Sequence, residues 1–181
     1  VSIGNKEEMR IYITGCAKTG TTLLRRLMNA FEGLNVAVDE MSLKRFLESE
    51  YDVAKRNAKQ IFSIGVDNDF IDEAIKLIKD NDVKILHIHR NKADVLKSDN
   101  GYVPEQRYDD VEDQMFKYKK HITHIVHFEE LTHHPDKVQK EIADALGLKI
   151  KHKFSEYPNF IDVKSEKINN GIYELRKIEK K

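Results

Sequence analysis

Short, unbroken apolar runs alternate along this chain with stretches in which apolar residues recur every three or four positions. The first pattern reads as buried strand and the second as amphipathic helix. Residues 10–14, with Ile11, Tyr12 and Ile13, predict a strand, and residues 20–32 its helix, with Leu23, Leu24, Leu27, Met28 and Phe31 on one face. Asn35–Val38 reads as a short second strand, helical spacing runs from Ser42 to about Lys59, and an apolar run follows at Ile61–Val66. Asp69 to Asp80 has helical spacing through Phe70, Ile71, Ala74, Ile75 and Ile78, and Val83–His89 reads as a buried strand. Helix is expected over 105–120, strand over 122–128 and helix over 135–146, the last opening on Pro135, whose fixed φ suits a first turn. Such alternation predicts an α/β fold with three α/β/α layers around a central parallel sheet. No repeat, low-complexity stretch or linker interrupts it, so residues 1–181 are expected to form one domain. The lysine-rich tail from Asp162 reads as helix with a solvated face.

The first strand leads into its helix through Gly15-Cys16-Ala17-Lys18-Thr19-Gly20-Thr21-Thr22. A strand, a glycine loop and a helix start in that order build an anion site, because inward N–H groups and the helix dipole both favour negative charge. The spacing nearly fits G-x-x-x-x-G-K-[ST], but Thr21 stands where a nucleotide triphosphatase carries its lysine, and the loop's lysine is Lys18. That displacement argues against ordinary ATP or GTP hydrolysis.

Lys18-Thr19-Gly20-Thr21-Thr22 resembles the P-loop of the sulfotransferases that use 3′-phosphoadenosine 5′-phosphosulfate (PAPS), a nucleotide-binding loop that holds the donor's 5′ end. Residues 85–98 match the family's 3′-phosphate pattern R-x-x-x-D-V-x-x-S through Arg90, Asp94, Val95 and Ser98, the serine closing a short helical segment. His127-Phe128-Glu129-Glu130-Leu131, followed by Pro135 and a helix ending Ala145-Leu146-Gly147-Leu148, is similar to a third family segment, with Phe128 and Glu130 as conservative departures. The resemblance covers roughly residues 10–150. It implies a PAPS-dependent sulfotransferase acting on a hydroxyl acceptor. Lys18 would offset charge on the leaving phosphate, while Thr19, Gly20, Thr21, Thr22 and the loop amides bind the 5′-phosphate. Arg90 and Ser98 would grip the 3′-phosphate, a task that suits a guanidinium. Alignment from Lys18 brings Asp39-Glu40 to the place where the tyrosylprotein branch carries a glutamate base, with Glu40 the closer match. Many members also carry a lysine at the end of the strand matched here by Ile61–Val66. This chain has Ile64-Gly65-Val66-Asp67 there, so one charge-stabilising residue is expected to be missing. Leu23 replaces the tryptophan that often follows the paired threonines.

Composition narrows the picture only a little. Lys plus Arg and Asp plus Glu both number 31, so no global field favours nucleic acid or an anionic membrane. The lone Cys16 excludes an internal disulfide, fits a reducing compartment and reads as a small residue filling the loop; a cytoplasmic location is expected. No apolar run approaches the ~20 residues a bilayer requires, and no secretory signal is legible. His87 and His89 share a strand face and His121, His124 and His127 recur every three residues, but neither set is completed by the ligands a metal site needs, so no metal is expected. Two alternatives stay open: a P-loop kinase-type phosphotransferase, weakened by His89-Arg90 where a metal-binding aspartate belongs, and a non-catalytic nucleotide-binding domain, favoured by the missing lysine.

Overall fold

The computed structural model describes residues 8–56, 71–98, 103–157 and 159–160. Its strands are β1 (Ile11–Thr14), β2 (Val53–Lys55), β3 (Lys84–His89) and β4 (His124–His127). They lie in the order β2-β1-β3-β4, every neighbouring pair parallel. The helices are α1 (Thr21–Leu27), α2 (Leu43–Leu47), α3 (Ile71–Asp80), α4 (Lys92–Lys97), α5 (Glu105–Lys117), α6 (Phe128–His133) and α7 (Pro135–Leu146).

Side chains alternate across each strand, and both faces of the sheet are covered. Ile11 and Ile13 of β1, with Leu86 and Ile88 of β3, pack against Leu23, Leu24 and Leu27 of α1 and Val138, Ile142 and Leu146 of α7. Tyr12 and Ile85 point the other way, into a second core with Phe46 of α2, Ala74 and Ile78 of α3, Val95 of α4 and Val111 of α5. The α/β class and the parallel central sheet are therefore as the alternation implies. Burial on both faces also explains why β1 reads as one unbroken apolar run.

Several elements differ from the expectation. α1 stops at Leu27 and tightens into a 3₁₀ turn over Met28–Ala30. The helical spacing from Ser42 yields only α2, capped by the Ser42 hydroxyl accepting from the Arg45 amide. The chain then turns and Val53–Lys55 joins the sheet. Leu43, Phe46, Leu47 and Ala54 satisfy a 3.6-residue period, but Val53 and Ala54 are buried by pairing with β1, a long-range contact that periodicity does not register. Asn35–Val38 contributes a single bridge, Val36 to Val53, at the outer edge of β2. After β4 the chain enters α6 at once, where strand was expected through residue 128. Ile61–Val66 and the tail from Asp162 lie outside the described residues. α7 begins and ends as predicted, opening on Pro135 and closing on Gly147 at φ 67°.

β1 sits between β2 and β3, so the chain leaves β1 toward one side and returns to the other. In open α/β sheets ligands bind beyond the carboxyl ends of the strands at such a switch point. The glycine loop follows β1 and Arg90 follows β3, so both candidate phosphate segments open onto that crevice.

Candidate functional site

The loop between β1 and α1 is held by its own short contacts. The Thr19 amide and hydroxyl both donate to the Cys16 carbonyl, the hydroxyl at 2.6 Å. Gly15 is required sterically: a Cβ there would stand 2.8–2.9 Å from the Thr19 hydroxyl, the Ile88 carbonyl and the Thr21 methyl. Gly20 is required conformationally, at φ 99°, and a Cβ would meet the Phe128 ring at 2.7 Å. Lys18 also lies in the left-handed region, at φ 68°, an uncommon conformation for a side-chain-bearing residue. Burial pushes the Cys16 thiol up to about 11, so it stays protonated and unreactive.

Arg90 reaches back from the end of β3 to this loop. One guanidinium N–H donates to the Lys18 carbonyl at 3.0 Å, and the guanidinium carbon lies 4.2 Å from the centre of the Phe128 ring. Its Nε is buried with no hydrogen-bond partner among the described residues. Phe128 thus serves as a platform between Gly20 and Arg90, a role invisible in the sequence. Ser98 closes α4 with its backbone N–H on Asp94 and Val95, and no hydrogen bond among the described residues joins it to Arg90. Thr22 lies on the first turn of α1 beside Thr21.

Glu40 is brought to the loop from the opposite side. The turn that carries it is pinned at both ends. Arg25 of α1 donates to the Ala37 carbonyl at 2.8 Å, and the Ala37 amide donates to Val53. The Tyr12 hydroxyl donates to the Met41 carbonyl at 2.6 Å, and the Met41 amide donates to the Lys55 carbonyl at 3.1 Å.

Lys55, the last residue of β2, lies beneath that turn. Its ammonium donates to Glu40 Oε1 at 2.6 Å and to the Thr21 hydroxyl at 3.4 Å. The lysine side chain is 5% exposed and the Glu40 side chain 47%. Burial pushes Lys55 below the usual lysine range, Glu40 pulls it back through hydrogen bond and charge, and Arg25 and Arg26 push it down again. A strand-end lysine is therefore present at the loop. The stretch Ile61–Val66, where a lysine was expected to be missing, lies outside the described residues; the sequence signal for β2 was the three-residue run Val53-Ala54-Lys55.

No family model and no curated protein matches the chain. Among solved structures, mouse sulfotransferase SULT7A1 complexed with PAP is similar to it, with a TM-score of 0.54 at 17% identity over 96% of this chain. The chain shares the overall fold of that protein. It spans 64% of the length of the SULT7A1 chain. Among the described residues no helix is long and apolar enough to cross a membrane.

Proposed function

We propose that the chain is a PAPS-dependent sulfotransferase that transfers a sulfuryl group to a hydroxyl acceptor. The observation that carries this reading is the row Glu40–Lys55–Thr21, a carboxylate and a buried ammonium set against a hydroxyl of the glycine loop. Sulfuryl transfer asks for positioning and charge stabilisation more than covalent help. The acceptor oxygen forms a bond to sulfur as the bond from sulfur to the bridging phosphate oxygen breaks, and the electron pair stays on that oxygen.

Each residue has a place in that step. Glu40 takes the acceptor's proton, a task within reach of a positioned carboxylate. Lys18 and Lys55 offset the charge that collects on the leaving 5′-phosphate. As Glu40 gains its proton it loses its hold on Lys55, which frees the ammonium's charge for the phosphate at the moment it is needed. Thr19, Gly20, Thr21, Thr22 and the loop amides bind the 5′-phosphate, and Arg90, assisted by Ser98, binds the 3′-phosphate. The buried Nε of Arg90 supports that assignment, since a donor without an acceptor among the described residues fits an anion.

Lys55 also bears on the two alternatives. The non-catalytic reading rested on a missing lysine, and Lys55 supplies one. The kinase-type reading predicts magnesium-dependent ATP binding. Calorimetry decides: the chain should bind 3′,5′-adenosine bisphosphate far more tightly than ATP, without magnesium, and transfer labelled sulfate from PAPS across a panel of hydroxyl acceptors. Tighter binding of magnesium ATP would refute the proposal. Firm bisphosphate binding with no transfer to any acceptor class would favour the non-catalytic domain.

A further inference from the structure

Behind the loop, on the α5 side of the sheet, four polar side chains form a chain that the proposed chemistry leaves unused. His87 and His89 stand two residues apart on β3, so they share a face and both meet α5. Nδ1 of His87 lies 3.1 Å from the Thr14 hydroxyl, and its Nε2 lies 3.4 Å from Glu112 Oε1. Nδ1 of His89 lies 2.8 Å from Glu112 Oε2. An ionised carboxylate only accepts, so both histidines turn an N–H toward Glu112, which leaves Nδ1 of His87 facing the Thr14 hydroxyl. One turn earlier on α5, the Tyr108 hydroxyl donates to the Arg90 carbonyl at 2.6 Å.

We propose that Glu112 is a positioning residue for the anion site, fixing the strand end that aims Arg90 and linking anion affinity to the charge of His89. Thr14 directly precedes Gly15, and His89 directly precedes Arg90. One carboxylate is thus connected to the ends of both strands that carry the phosphate ligands. An apolar trio would fill the same space without desolvating charge, whereas hydrogen bonds at both carboxylate oxygens fix direction as well as distance. The proposal rests on Arg90 as a phosphate ligand.

The linkage to charge follows from what surrounds His89. Glu112 and Tyr108 face it from α5, His127 from β4 and Glu129 from the start of α6, with Arg90 directly after it in the chain. The hydrogen bond to Glu112 raises His89 above the usual histidine range, against its burial. Burial opposes the charge on Glu112, but hydrogen bonds from His87 and His89 outweigh it and hold the carboxyl at about 2. Protonated His89 and ionised Glu112 form a neutral pair. Once His89 loses its proton, the carboxylate's charge stands uncompensated at the strand end and opposes an anion on Arg90.

The test is calorimetric titration with 3′,5′-adenosine bisphosphate across the histidine range, on wild type, Glu112→Gln, His89→Gln and Arg90→Ala. The ligand's own phosphate titration is common to all four and cancels in ratios. Wild-type affinity relative to Glu112→Gln should be about 5- to 20-fold higher below His89's titration and lose about three- to tenfold of that as pH rises through it. His89→Gln keeps a donor for Glu112 but cannot take up a proton, so it should bind at every pH as wild type does at high pH. A folded Glu112→Gln with wild-type affinity, or one weakened equally at all pH, overturns the proposal. So does a His89→Gln that follows the wild-type profile, and this variant carries the test if Glu112→Gln does not fold, because His89 is 31% exposed. Full affinity in Arg90→Ala overturns the phosphate-site reading itself; lost affinity there with an unchanged Glu112→Gln overturns only the present inference.

Discussion

Lys55→Met keeps the apolar stem that packs beside β1 and removes the ammonium alone. The structure sets two magnitudes against each other. For stability, the lysine is 5% exposed, so its charge carries a desolvation penalty, while Glu40 at 47% exposed returns readily to water when the pair is broken. The two effects oppose, and the change in unfolding free energy should stay within about 1 kcal/mol. For turnover, the ammonium donates to Glu40 and Thr21, where the proposed reaction puts the leaving phosphate. Removing one such electrostatic donor raises the barrier by about 2.7–4 kcal/mol, a fall of about 10²–10³ in kcat. The assay is single-turnover transfer of labelled sulfate at saturating PAPS, with bisphosphate calorimetry and thermal melting on the same preparations. Bisphosphate affinity should change by less than about tenfold, because Arg90 and the loop amides remain. The pH profile gives a second readout. Burial lowers Lys55, so wild-type turnover should fall as pH rises through that lowered value, and Lys55→Met should lack this alkaline limb. A folded Lys55→Met with kcat within about threefold of wild type would refute the role assigned to the ammonium.

The remaining predictions concern the other members of the site. Glu40→Gln should leave bisphosphate affinity nearly unchanged and lower turnover by about 10²–10⁴; near-normal turnover would move the base assignment to Asp39 or elsewhere. Arg90→Ala should lose about 1.5–3 kcal/mol of donor binding and with it most of the preference for the 3′-phosphorylated nucleotide over its dephospho form, measured by competition. Unchanged discrimination would show that another residue reads the 3′-phosphate. Stability should also depend on pH through the Glu112–His89 pair. His89 is raised, so its contribution is complete below its usual 6.5 and lost as pH climbs through the folded value. Glu112 is held at about 2, so its contribution is complete above 4.5 and lost as pH falls toward 2. The Tm advantage of wild type over Glu112→Gln should therefore peak between pH 4.5 and 6.5 and shrink on both sides, and a constant difference across pH would contradict the pairing.

Much of the frame was legible before any coordinates. An unbroken apolar run marked β1 and a largely apolar one marked β3, because strands buried on both faces need no polar side, and the 3.6-residue period with Pro135 and Gly147 bounded α7 because caps act locally. The glycine loop was legible for the same reason: Gly15 and Gly20 answer to steric demands of their own turn, although the Phe128 ring that crowds Gly20 comes from more than a hundred residues away. What the sequence left hidden depends on pairing between distant segments. Val53–Lys55 is too short to show a period and became a strand only by hydrogen bonding to β1, which is why Lys55 escaped notice. Glu40 was placed by alignment, but the tertiary structure decided that it meets a buried ammonium, through Arg25 and Tyr12 anchoring its turn from two other elements. His87 and His89 read as histidines of no special office until α5 laid Glu112 between them. Local patterns carry strands, caps and loops because neighbouring residues fix them; charge partners across the sheet are fixed only when the chain closes on itself.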